Sequence, residues 1–277
     1  MAPRLSDRNT MPDFSDCDRD PSSALTELRT LLSQNTVTQV HSFDDAFLIK
    51  FLRSRCYDVA KTQQLLVWYL EKISERPDLF QWDDSIKDAI EARVFNLYQH
   101  PTPSGQRLLL IHPGKWNPSQ VDILQLIKLS IIGEEINLLD ETAQKEGYVT
   151  VINMSGLGLT QVYKCGLFNA RLISDLTDRC MPIRIVNIHV VFENRLTDIA
   201  YSLFKPFLEE ELRNKIVFHG RDLESLHRYV PSSCLPPIFG GTNEDPNPDA
   251  IWKRLLPYRE RIENMWNSIK SKLKQKQ

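Results

Sequence analysis

Gly156-Leu157-Gly158 follows an apolar run, where a glycine-rich turn would cradle a phosphate. The G-x-G-x-x-G spacing is incomplete, however, and no P-loop lysine with serine or threonine follows. The chain contains no G-x-S-x-G elbow for a nucleophilic serine and no H-E-x-x-H pair for zinc. Its histidines, His41, His100, His112, His189, His219 and His227, have no metal-ligand spacing. His189 alternates with apolar residues, the pattern of a hydrogen-bonded core histidine. Glu134, Glu135, Asp140 and Glu141 stand close enough on one helix to pair as acid and base, although an exposed acidic helix face is the commoner origin of such a run. The cysteines, Cys17, Cys56, Cys165, Cys180 and Cys234, lack C-x-x-C pairing, and their odd number argues for free thiols. Catalysis therefore has no residue set to stand on, the expectation is that the chain is not an enzyme, and no cofactor or metal is expected.

The composition points the same way. A hydrophobic fraction of 42%, a charged fraction of 25% and a net charge of -2 over 277 residues describe an ordinary globular chain. No global basic field exists to hold nucleic acid, so none is expected as a partner, and any anionic surface must be met by a local patch. No apolar run approaches the ~18–20 residues that span a bilayer. The first residues lack the apolar core of a signal peptide, so the chain reads as cytoplasmic.

The elements that position these residues follow from periodicity. Residues 1–21 are polar and expected to be disordered. A helix from Ser22 or Ser23 to Gln34 buries Leu25, Leu28, Leu31 and Leu32; a second starts near Asp44; Asp58 caps a third that ends before Pro77; a fourth covers Ser85 to Asn96. Strands are expected at Arg107–His112, Tyr148–Met154, Arg184–Val191 and Lys215–Phe218. Helices at Ser119–Lys145 and Val162–Thr177 separate the first three, which implies parallel pairing with crossovers. Asp249–Lys274 forms a last helix, whose alternation Lys270, Lys272, Lys274 and Lys276 suits a solvated end better than an anionic-lipid contact. The fold class is α/β: an N-terminal all-helical module, then a mostly parallel sheet flanked by helices. Domain bounds are 22–96 for the helical module, 97–245 for the sheet domain and 246–277 for the C-terminal helix.

Asn194 to Leu212 carries an amphipathic pattern. Leu196, Ile199, Leu203 and Phe207 share one ridge, with Ala200, Phe204 and Leu208 beside it and Arg195, Asp198, Ser202 and Lys205 opposite. Pro206 disfavours helix at Lys205 and places a break there. Periodicity alone describes a plain surface helix. Burying all seven apolar side chains is worth on the order of 10–20 kcal/mol, so such a helix could swing open only where its apolar face is re-buried, as in a lipid interface.

Several motifs in one order resemble the CRAL-TRIO (Sec14-like) lipid-transfer family, and most closely its tocopherol- and retinaldehyde-carrying branch. They are DAFLIKFLRSRCYDVAKTQQLL from Asp45, RIVNIHVVFEN from Arg184, LFKPFLEEEL from Leu203, IVFHG from Ile216 and LPPIFGG from Leu235. The resemblance runs from about Ser22 to Gly241. It implies an apolar pocket between the sheet and the Asn194–Leu212 helix, which in relatives is a mobile gate. It also implies pocket walls from Trp116, Leu129, Ser130, Ile131, Glu134, Ile152, Met154, Leu176, Ile183, Ile188, Val190, Ile199, Leu203 and Phe207. The expected function is cytosolic binding and intermembrane transfer of a small hydrophobic lipid (tocopherol-, retinoid- or carotenoid-like), with release at a transiently contacted membrane through gate opening.

The chain also departs from the family. Leu129, Ile152 and Leu172 stand where the retinaldehyde carrier has polar side chains, and Glu134 stands where the tocopherol carrier has a serine. Asn153 and Ile238 replace usual acidic residues. Arg184 and Lys215 match two of the basic positions that hold phosphoinositide headgroups in the tocopherol carrier, Val186 and Glu211 do not, and Arg213 is placed to compensate. Phosphoinositide binding is accordingly expected to be weaker or differently selective. The rival readings are a phosphatidylinositol or other phospholipid exchanger and a lipid-licensed trafficking or signalling adaptor.

Overall fold

A computed structural model describes residues 19–35, 38, 43–98 and 100–274. The tail expectation for residues 1–18 and the end of the lysine alternation at Lys276 lie outside them. Helix α1 (Pro21–Gln34) begins earlier than the serines suggest, because the Asp20 carboxylate accepts the Ser23 N–H and Pro21 suits the first helical position. Helix α2 (Asp45–Ser54) is capped by Asp44, and α3 (Val59–Glu75) by Asp58, as expected. Helix α4 (Ile86–Glu91) is shorter than the Ser85–Asn96 reading. Arg93 adopts a φ of 52°, which ends the helix, and the following residues form strand β1 (Phe95–Leu97) instead.

Strand β2 (Arg107–Ile111) pairs antiparallel with β1. The long helix expected next is two: α5 (Ile123–Asn137), whose Asp122 forms a capping box with Gln125, and α6 (Glu141–Glu146), capped by Asp140. Strand β3 (Tyr148–Asn153), helix α7 (Leu159–Ser174), a wide turn at Asp175–Cys180 and strand β4 (Ile185–Val191) follow. Then come α8 (Thr197–Phe204), α9 (Glu210–Asn214), the edge strand β5 (Ile216–Phe218) and α10 (Leu223–His227). The C-terminal helix is broken at Leu256–Tyr258, where Pro257 interrupts it, into α11 (Pro248–Leu255) and α12 (Arg259–Lys274). The sheet order is β1-β2-β3-β4-β5, with β2 to β5 parallel.

Parallel pairing and strand alternation divide the sheet into two faces. One carries Leu108, Leu110, Val149, Val151, Val186 and Val191, all buried against Leu226, Val230, Leu235 and Phe239. This face is closed by the LPPIFGG segment, where Gly241 admits no side chain: a Cβ would stand 1.9 Å from the Leu235 carbonyl oxygen. The other face carries Leu109, Ile111, Thr150, Ile152, Ile188, Val190, Ile216 and Phe218.

The helical module is tied to the C-terminal helix by its aromatic core and to the sheet domain by a buried ion pair. Phe51, Tyr69, Phe80 and Trp266 meet edge to face in sequence, with centroids 5.3 to 5.8 Å apart, which joins α2 and α3 to α12. Beneath them Lys50 and Glu135 form a buried ion pair of 2.9 Å, and Tyr69 OH donates to the second Glu135 oxygen at 2.6 Å. The acidic run is thus not one exposed face. Glu135 is buried in this pair, Asp140 caps α6 and pairs with Arg107, and Glu141 is exposed between Arg53 and Lys145. Residue type could not show this, because α5 is apolar on every side and its carboxylates fall on different flanks. His189 is buried as expected, its Nδ1 2.9 Å from His219 Nε2. Cys165, Cys180 and Cys234 are free, whereas Cys56 is disulfide-bonded. That corrects the free-thiol expectation, since an odd count carries no information on which pair the fold brings together.

Candidate ligand chamber and its gate

The candidate chamber is the apolar cluster between the second sheet face and α7–α8. Met154, Leu157, Val162 and Val190 form its apolar centre, with Ile152, Leu196, Ala200, Leu203, Ile216 and Phe218 around them. The two faces of the sheet differ in burial. In β2 to β4 every apolar position of the first face is buried, Asn187 and the edge residue Val217 being partly exposed there, whereas Leu109, Ile111, Ile152, Ile188, Ile216 and Phe218 on the second face are only partly buried although helices overlie them. Apolar side chains packed at full density would have no accessible area left. Residual apolar area under a cover is what the walls of a ligand chamber need.

The gate segment begins at Asn194, whose Nδ2 donates to the carbonyl oxygens of Met154 (3.0 Å) and Leu157 (3.3 Å). Helix α8 then runs to Phe204, and Pro206 converts Lys205–Phe207 into a tight 3-10 turn, where the sequence places a break. At the far end the Glu209 N–H donates to Asp178 Oδ2 at 2.7 Å, and Arg179 pairs with the Glu209 carboxylate at 2.5 Å. The cover itself is shallow. None of the seven expected apolar residues of this segment is fully buried, and Ile199 is 49% exposed, so the full-burial estimate overstates what holds the gate down.

The remaining expected wall residues distribute as follows. Met154, Val190, Ile152 and Leu203 gather at the chamber's centre, and Ile188 lies on its sheet face. Trp116, Leu129, Ile131, Leu176 and Ile183 belong to the large core shared with the helical module. Leu129 and Ile131 stand two positions apart on α5, so they point about 200° apart and do not share one wall. Phe207 is partly buried in the turn after α8, and Ile199 is at the surface. Ser130 and Glu134 line a small separate cavity with Asn137 and Tyr148.

Ser130 Oγ donates to Glu134 Oε1 at 3.1 Å. Burial, reinforced by the neighbouring Glu135 carboxylate, pushes the Glu134 carboxyl up to about 8 from an ordinary 4.5. The folded chain therefore holds a proton there that the unfolded chain has released. The associated stability is present below about pH 4.5 and is lost as pH rises to about 8, with a slope of up to about 1.4 kcal/mol per pH unit. Glu134→Gln is expected to flatten that part of the stability profile in urea titrations between pH 5 and 8. An unaltered slope in the variant would show that Glu134 is charged in the native state.

The basic residues near the gate are engaged. Arg184 Nη1 donates to the Lys145 carbonyl at 2.9 Å, and Lys215 pairs with Glu211 at 2.9 Å. Arg213 is partly buried on α9. The Glu211 carboxyl is held below its usual range first by Lys215, then by Lys61 and Arg55. Arg55, Lys61 and Arg179 were not singled out from sequence, because they lie far along the chain from Lys215 and only the fold gathers them. A second feature missed from sequence is on α7. Leu159, Tyr163, Leu167 and Phe168 are exposed, Tyr163 at 83% and Phe168 at 73%, and α7 packs beside α8. Gly166, with a φ of 57°, breaks α7 between Tyr163 and Leu167. The signal available was apolar residues on the side of α7 that the core does not need.

Among the described residues no group of three or more His, Cys, Asp or Glu is placed to hold a metal ion, and no helix is long and apolar enough to cross a membrane. Residues 93–241 match the CRAL/TRIO domain. The alpha-tocopherol transfer protein-like proteins of Homo sapiens and Mus musculus are 32% and 34% identical over 231 and 217 residues, covering 83% and 78% of this chain. Clavesin-1 of Xenopus laevis is 30% identical over 220 residues, 77% of this chain. The matches span 67%, 63% and 65% of those proteins' own lengths. The crystal structure of Sfh5 shares the fold, with a TM-score of 0.51 at 15% identity over 77% of this chain and 84% of that one.

Proposed function

The chain belongs to the CRAL/TRIO family, and from that premise we propose that it binds a small, mostly apolar lipid under α8 and carries it between membranes without catalysis. The observation that carries this reading is the accessible apolar area left on the second sheet face beneath its helices, where Ile152, Ile188, Ile216 and Phe218 are only partly buried while the apolar positions of the first face in β2 to β4 are buried. Lipid binding and transfer in general is what the relatives' names support; the tocopherol-, retinoid- or carotenoid-like class is our finer reading. Its ligand walls are Ile152, Met154, Ile188, Val190 and Leu203, with Ile199 and Phe207 on the covering segment.

Delivery proceeds at a cytoplasmic membrane surface. The exposed apolar side chains of α7 enter the interface beside α8, where a shallowly seated gate can exchange water for lipid. Organic extraction and mass spectrometry of the purified protein, with vesicle-to-vesicle transfer of the extracted lipid, test the reading. A bound prenol-like or polyene lipid that the protein then transfers is expected. A co-purifying phospholipid would point to phospholipid exchange, and neither lipid nor transfer would sink the proposal.

Arg184, Arg213 and Lys215, joined by Arg55 and Arg179, supply the phosphoinositide contact, and Glu209 and Glu211 compete for those same cations. Glu211→Gln is expected to tighten flotation on phosphoinositide vesicles several-fold, and Arg184→Ala to weaken it. Indifference of both variants to phosphoinositide content would remove this part of the proposal.

A further inference from the structure

At the β1 edge, the opposite end of the sheet order from β5, a cleft of about 300 Å³ opens between α5, the β1–β2 pair and the C-terminal helices. Its walls are mixed: Leu97, Ile136 and Leu255 are apolar, and Asn137, Asp140, Arg107 and Arg254 are polar. Arg107 is matched by Asp140. Arg254 forms no ion pair among the described residues; its Nη2 donates to the Leu97 carbonyl oxygen at 2.7 Å. Burial and the nearby Arg107 charge lower the Arg254 pKa, yet a guanidinium stays ionised under all ordinary conditions. Arg107 is held by its own partners, and the Arg254 charge beside it in a partly dry cleft is left for an anion to meet. Planar guanidinium forks match the two oxygens of a carboxylate or phosphate.

We propose that this cleft is a second binding site, for the oxyanion group of a short amphiphile, with Arg254 donating to the anion and Leu97, Ile136 and Leu255 against its apolar part. The site is separate from the chamber under α8, so it stands or falls independently of the transfer reading.

Calorimetric titration of the full chain with octanoate, octyl phosphate, inorganic phosphate and octanol tests it. Both amphiphilic anions are expected to saturate one site, with octanol at least 10-fold weaker. Arg254→Gln is expected to weaken the anions at least 10-fold, while Arg254→Lys, which keeps the charge and a donor for Leu97, weakens them less. Leu203→Trp, which fills the chamber under α8, is expected to leave anion binding unchanged. Octanol binding as tightly as octanoate, or anion binding that survives Arg254→Gln but is lost in Leu203→Trp, would overturn the assignment. So would inorganic phosphate matching octyl phosphate, which would mark a free-phosphate site in place of one for an amphiphile.

Discussion

Lys50→Met is expected to destabilise the protein by about 3–5 kcal/mol, read as a lowered urea midpoint, because it strands the Glu135 carboxylate in a buried site. Both side chains are almost wholly buried, and the remaining Glu135 partner would be the single Tyr69 hydroxyl. The Lys50 ammonium also lies 4.7 Å from the centre of the Phe47 ring, so the aromatic core loses a cation–π contact as well. The double change Lys50→Met with Glu135→Met is expected to recover most of the loss, since replacing a whole buried pair by apolar groups of similar volume is often neutral. The double-mutant cycle thus separates an unpaired charge from simple overpacking. A Lys50→Met cost below about 1 kcal/mol, or additive single changes, would mean that water or another group reaches Glu135.

The second large effect concerns membranes. Tyr163→Asp combined with Phe168→Asp is expected to lower partition onto neutral phosphatidylcholine vesicles about 100-fold. Partial burial of each ring at the interface is worth roughly 1.5 kcal/mol, and about 3 kcal/mol corresponds to that factor. The same charges placed at the exposed Asn267 and Ser268 of α12 serve as the control. Folding should be nearly unaffected, because both rings already face solvent in the structure. Equal vesicle partition of the α7 and α12 variants would exclude α7 as the contact surface.

Local signals carried much of the architecture. Asp44 and Asp58 sit before apolar 3.6-residue patterns and cap the helices that follow them, and the β-branched run from Tyr148 becomes the doubly covered strand β3. Strand β1 was not legible. Three residues are too few for a period, and Arg93 turns the chain without the glycine or proline that would announce it. The division between α5 and α6 was visible in principle at Asp140, a capping residue that a run of acidic neighbours disguised. For the site, the order of motifs pointed to the space under α8 that we propose as the chamber. Which side of α8 Ile199 takes, and that Glu134 and Glu135 enter different surroundings, depend on tertiary packing that no window of sequence contains. The exposed rings of α7 went unread for a related reason: an apolar residue in a helix is ordinarily explained by the core, and only burial shows that the core does not use it.

The gate segment, finally, is a chain clamped at both ends. It leaves the sheet from β4 and returns in β5, two hydrogen-bonded neighbours whose register pairs Ile188 with Ile216 and Val190 with Phe218. Such a segment can tilt or bow, but it can neither translate away nor exchange with the gate of another molecule without first stripping an edge strand from the sheet. In the opening we propose, every excursion would be drawn back by its two ends, with an amplitude set by how much of Phe192 to Lys215 lets go at once. With the Asn194 anchor and the Glu209 clasp as the two release points, freeing one end gives a flap that swings about the other, and freeing both gives a loop over the opening. Mechanically, the order in which those anchors break decides which rim of the chamber is uncovered first.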